Sequence, residues 1–144
     1  MATLYTIGFT KRNARDFFTT LQNNDITTVI DIRINNTSQL SGYTKKEDLE
    51  YFLWEIAHIK YIHDVRLAPT KEMLDAIHKK TISWEQYQEK FVQLLTQRNA
   101  EHYYNEHNLH TACLLCSEYE PTNCHRRLVA EYFARFYNLD IVHL

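Results

Sequence analysis

Apolar residues recur along this chain in two alternating rhythms. Short runs rich in β-branched and aliphatic side chains lie at Thr3–Ile7, Thr27–Ile32, Ile59–His63, Thr111–Cys116 and Asp140–His143, and each predicts a strand. Between them the spacing changes to that of a helix with one apolar face. Ala14, Phe17, Phe18 and Leu21 form the first such face, and Leu49, Phe52, Leu53 and Ile56 the second. Trp84, Tyr87, Phe91, Leu94 and Leu95 form a longer one, and Leu128, Val129, Tyr132, Phe133 and Phe136 the last. A short helix is predicted over Met73–Lys79. Start signals support these segments: Thr10 as a cap, Thr44 with Glu47 and Ser83 with Gln86 as capping boxes, and Thr122 before the last helix. Ile34–Tyr43 and Arg66–Thr70 read as loops, and His102–Asn108 carries neither rhythm.

Strands alternating with helices predict a single α/β domain of Rossmann-like, three-layer character over residues 1–144, with a mostly parallel sheet of about five strands. Ligands of such sheets bind beyond the carboxyl ends of the strands. The polar residues at those ends are therefore the first candidates: Gly8 and Thr10, Asp31 and Arg33, His63, Cys116 and Glu118, and His143. Cys124, His125 and Arg126 open the helix after the fourth strand and belong to the same rim.

Composition narrows the function classes. At 44% hydrophobic and 24% charged residues the chain is an ordinary globular one. No apolar run is long enough to span a bilayer, and the N-terminus lacks the basic-then-apolar pattern of a signal peptide; a cytoplasmic protein without a membrane partner is expected. Three cysteines imply no disulfide framework. The net charge of −2 leaves bulk electrostatics neutral towards nucleic acid, but Lys11, Arg12, Arg33, Lys45, Lys46, Arg66, Arg126 and Arg127 all fall in rim loops or helix starts. Such a basic rim favours an anionic ligand. Gly8-Phe9-Thr10 holds one glycine, which disfavours a dinucleotide cofactor; no other cofactor is implied.

The densest chemistry lies in Ala112–Arg127. A helix start offers N–H groups and partial positive charge, and Arg126 adds a fixed cation, so Cys116 or Cys124 suits a thiolate nucleophile with Glu118 or His125 moving protons. The same groups suit a docked phosphate. Three other arrangements fit these residues: a Glu118–Arg126 ion pair over buried cysteines, a zinc site on Cys116, Cys124 and His125 with His63 or His143 as fourth ligand, and a reversible Cys116–Cys124 disulfide. Cys113, an odd number of strand positions from Cys116, is expected to face the other way. Asp31 and Arg33 share a side of their strand, either as an acid beside an anion-reading guanidinium or as a pair that satisfies itself. His63 is a candidate base or ligand.

Thr6-Ile7-Gly8, Asp31-Ile32-Arg33, Tyr61-Ile62-His63, Cys116-Ser117-Glu118 and Cys124-His125-Arg126 together resemble the family known as domain of unknown function 488. Asn35–Leu40 is similar to one branch of it, and Phe9-Thr10 stands where many members have His-Ser, so a histidine there is absent. The resemblance implies an α/β fold and brings no established reaction. The expected function is binding of a nucleotide or nucleic acid at the carboxyl edge, with thiol or Glu/His acid–base catalysis by Cys116, Glu118, Cys124, His125 and Asp31. Ligand contacts are expected from Gly8, Thr10, Arg33, His63 and Arg126. The alternatives are a non-catalytic nucleic-acid-binding module and a zinc-stabilised interaction domain.

Overall fold

Five parallel strands form one sheet in the order β3-β2-β4-β1-β5: β1 Ala2–Gly8, β2 Thr28–Asp31, β3 Lys60–His63, β4 Ala112–Cys116 and β5 Leu139–His143. The helices are α1 Ala14–Asn23, α2 Lys46–Ala57, α3 Lys71–His78, α4 Trp84–Gln97, α5 Glu106–Leu109 and α6 His125–Ala134. This is a computed structural model, and it describes residues 1–34, 42–117 and 124–144.

Strand composition follows position in the sheet. β4, Ala-Cys-Leu-Leu-Cys, sits at the centre and is buried at every residue, as an uninterrupted apolar run requires. β3 and β5 are the edges and alternate between more and less exposed residues. The chain steps from β1 through β2 to β3 with α1 and α2 packed on one face. It then runs back through β4 to β5 with α3, α4 and α6 on the other. Reversing direction with right-handed crossovers forces that change of face. Phe17, Phe18, Leu21, Leu49 and Leu53 meet Ile7, Val29 and Leu115 in the first layer. Phe91, Leu95, Leu128, Val129 and Phe133 meet Leu4, Ile30 and Leu114 in the second.

The helix starts depart from the sequence expectations in three places. The Ser83/Gln86 capping box forms, but α1 is capped by Asn13, whose Oδ1 accepts from the Asp16 N–H at 2.8 Å. Thr10 is instead drawn to the sheet, where its backbone N–H reaches the Ser117 carbonyl at 3.0 Å. Thr44 is buried at the end of a 3-10 turn, Gly42–Thr44, so Lys45 becomes the N-cap of α2 and no side chain caps it. Cys124 is the N-cap of α6, without a side-chain capping bond; Thr122 falls outside the described residues, as does most of the Ile34–Tyr43 loop. Three residues assigned to apolar faces, Ala14, Ile56 and Phe136, are exposed, the last two about half. Phe136 lies past the end of α6 and packs beside Tyr132 at 5.1 Å between ring centres. The unassigned His102–Asn108 stretch holds the end of a 3-10 turn and the start of α5, which begins with an Asn105/Asn108 capping box.

Candidate functional site

β4 lies between β2 and β1, whose following helices sit on one face, while α6 after β4 sits on the other. The strand ends diverge there, and a crevice opens at the carboxyl edge. A cavity of about 340 Å³ occupies it. Arg33 and Ile34 line it from the end of β2, Cys116 and Ser117 from β4, and Cys124 and His125 from the start of α6. Leu74, Ile77 and His78 of α3 and Trp84 and Tyr87 of α4 form the opposite, largely apolar wall.

Four of the nominated residues therefore meet in one space: Arg33, Cys116, Cys124 and His125. The Cys116 and Cys124 sulfurs stand at bonding distance, the disulfide arrangement among the alternatives, with Cα atoms 7.7 Å apart. Cys113 is buried in the opposite layer, where burial raises its thiol pKa and keeps it protonated. The His125 Nε2–H donates to the Ile32 carbonyl at 2.9 Å, and the ring stands edge-on to Phe91 at 5.8 Å. Burial pushes the imidazole down to about 4, against the pull of that carbonyl and of Asp31. The ring is thus neutral at pH 7, and with the proton on Nε2 its free lone pair is on Nδ1. Arg126 is fully buried at the same helix start. Among the described residues, Cys116, Cys124 and His125 form the one group of His, Cys, Asp or Glu side chains close enough to share an ion, their donor atoms lying within 4.8 Å of each other. His63 and His143, the two histidines considered as a fourth ligand, are not in that group. The His63 Nε2–H donates to the Arg33 carbonyl at 2.8 Å, and His143 Nδ1 is bonded to the Thr6 hydroxyl.

Asp31 is the anchor of Arg33. Its Oδ1 accepts from the Arg33 backbone N–H at 3.1 Å and from Nε at 2.8 Å. Its Oδ2 accepts from Nη2 at 2.8 Å and from the Tyr61 hydroxyl at 2.6 Å. Both carboxylate oxygens are thereby engaged, and Arg33 gives a further bond to the Thr44 carbonyl at 2.7 Å and lies over the Phe9 ring. Gly8, Thr10, His63 and Arg126 frame the site without lining the cavity, and Glu118 falls outside the described residues.

The basic rim is less positive than the sequence implied. Arg33 pairs with Asp31, Arg66 with Asp64, Arg12 with Asp16 and Arg127 with Glu131. The carboxylates sit two residues before or four after their partners, so each arginine is answered locally and not by the distant helix flanks.

Asp64 was overlooked in the sequence, although Asp64-Val65-Arg66 repeats the Asp-x-Arg spacing of Asp31-Ile32-Arg33. Its oxygens accept from Arg66 Nε and Nη2 at 2.8 Å and from the Tyr104 hydroxyl at 2.7 Å. Burial would raise its pKa, but the bonds from Arg66 and Tyr104 outweigh burial and hold it below the usual value. A depressed carboxylate stabilises the fold above its unfolded pKa, and that contribution fades as pH falls through the folded value. Asp64→Asn should therefore cost about 1–2 kcal/mol at neutral pH, a figure kept low because Arg66 is half exposed. The gap to wild type should close below about pH 4. Urea denaturation across pH checks this, and a gap that widens on acidification would contradict it.

The cavity wall from α3 and α4 was also missed. Trp84 and Tyr87 were legible only as one face of a helix, and nothing local says that the face ends over a strand edge.

The family model for domain of unknown function DUF488 matches residues 13–133. The chain belongs to this family. The DUF488 match spans every strand end that lines the cavity, from Arg33 to His125, and begins after Gly8. No curated protein and no solved structure shows significant similarity to the chain. No helix among the described residues of this DUF488 protein is long and apolar enough to cross a membrane.

Proposed function

We propose that the chain binds a small phosphate-bearing ligand with an aromatic part, of the nucleotide class, in the cavity at the carboxyl edge of the sheet. The supporting observation is the division of that cavity. One wall carries Arg33 and the N-terminus of α6, whose first turn holds no acidic residue, and the other carries Trp84, Tyr87, Leu74 and Ile77. The first wall suits phosphate oxygens and the second a stacked ring. The local pairing of the rim arginines favours this reading over a module that tracks a long polyanion, which needs a row of uncompensated cations. Chemistry on the bound ligand falls in this reading to the Cys116 or Cys124 sulfur, with His125 Nδ1 as proton acceptor.

Thermal melts with a nucleoside monophosphate, its nucleoside and inorganic phosphate test the reading. At a hundredfold excess over Kd the monophosphate should add about 2.7 kcal/mol, a rise of roughly 5–10 °C. The nucleoside and phosphate should each give less. Trp84→Ala should weaken binding about tenfold or more. Flat melts with all three ligands across a full titration would remove the proposal.

A further inference from the structure

We infer that Cys116, Cys124 and His125 hold a zinc-class divalent ion at the edge of the cavity, as the three ligands that the described residues supply, with the fourth coordination position open to added anions. Two thiolates and an imidazole are the soft-to-borderline donor set that zinc selects. The His125 ring lies within 4.8 Å of both sulfurs, which here stand at bonding distance from each other; on an ion the sulfurs would part to the about 3.5–3.8 Å that tetrahedral bonds of about 2.3 Å to sulfur impose.

The backbone favours an ion over a covalent bridge. The Cα atoms of Cys116 and Cys124 are 7.7 Å apart, beyond the about 4.4–6.8 Å that a disulfide spans without backbone movement. An interposed ion removes that constraint, because it lets the sulfurs stand apart.

The histidine is already arranged as a ligand. Its Nε2–H is held by the Ile32 carbonyl at 2.9 Å, which leaves Nδ1 to bind and fixes the ring plane, as outer partners of metal-bound histidines do. Adjacent Cys124 and His125 can serve one ion because Cys124 is the extended N-cap and His125 the first helical residue. All three residues line the 340 Å³ cavity, so an ion held by them would face that space. Reactive zinc sites keep one position open, whereas structural sites are closed by four protein ligands, and the described residues supply three. The site does not depend on nucleotide binding; an ion there would also draw an anion into the cavity, and would engage the sulfurs and Nδ1, so sulfur and acid–base chemistry on the ligand would belong to the metal-free protein.

The test uses the full chain, reduced with a phosphine and freed of metal, and titrated with cobalt(II) and then zinc(II) without any anionic ligand. Thiol titration of the reduced, denatured protein should find three thiols. Cobalt should bind one to one, with a thiolate-to-cobalt charge-transfer band and intense tetrahedral visible bands, and zinc should displace it. Cys124→Ser and His125→Gln should each weaken binding by at least about 100-fold, since outer partners alone are worth 10–100-fold. Cys113→Ala should leave binding unchanged. Azide should shift the visible bands if the fourth position is open, and bands that ignore azide would overturn the open position. Fully reduced wild-type protein that shows no charge-transfer band overturns the site, whatever the variants do. Since no anion is needed for the cobalt spectrum, failure here is separate from failure of the nucleotide melts.

Discussion

Asp31→Asn is expected to destabilise the protein by about 3–5 kcal/mol, a fall of roughly 10–15 °C in Tm. Asp31 is fully buried, and Arg33 is only 5% exposed. Two guanidinium bonds, one backbone N–H and the Tyr61 hydroxyl converge on the Asp31 carboxylate. Asparagine keeps the shape but removes the charge, and turns an NH₂ group towards donors. The Arg33 cation then stays buried without its counter-ion, which costs far more than the pair itself contributes. Asp31→Asn combined with Arg33→Met should recover more than half of the loss, because it removes the stranded charge as well. Chemical denaturation of both variants decides the matter. A single mutant melting within a few degrees of wild type would show that this pair does not brace the end of β2. Since Arg33 lines the cavity, the single mutant should also lose the melt response to a nucleoside monophosphate.

Phe91→Ala should cost a similar amount, about 3–5 kcal/mol. Phe91 is completely buried on α4, stacked on Tyr87 at 6.1 Å and edge-on to His125 at 5.8 Å. Truncation opens a void in the larger core layer, directly behind the start of α6. Phe91→Leu keeps most of the volume and should cost clearly less. If alanine and leucine cost the same, the ring's contacts with Tyr87 and His125 matter more than the void. The Ala variant joins stability to the site: α4 supplies both this core residue and the Trp84–Tyr87 wall, so loosening it should reduce ligand response even where the protein remains folded.

The alternation of strand and helix and the opposite facing of Cys113 and Cys116 were both legible in the sequence. They depend on local periodicity: a residue's place in a strand decides its face, whatever lies on the other side. The Ser83 cap was legible for the same reason, since its box closes within four residues. Thr10 and Thr44 were misread because each hydroxyl-bearing residue is engaged elsewhere. The Thr10 N–H is drawn to the end of β4, and Thr44 is buried in a turn whose carbonyl receives Arg33.

What the sequence by itself determined is the set of groups delivered to the carboxyl edge, because strand ends are set by local pattern and the parallel arrangement puts them on one rim. Only the tertiary structure decided which of them meet. Strand order placed β4 beside β2, which brought Cys116 next to Arg33 and set His125 on the Ile32 carbonyl, 93 residues away in sequence. Strand order also placed the apolar ends of α3 and α4 over that edge. No local pattern carries that information, since it depends on the direction in which each crossover runs. The same geometry separated two roles that composition left joined. Asp31 holds Arg33 in place, while Cys116 at the end of β4 and Cys124 and His125 at the start of α6 line the cavity.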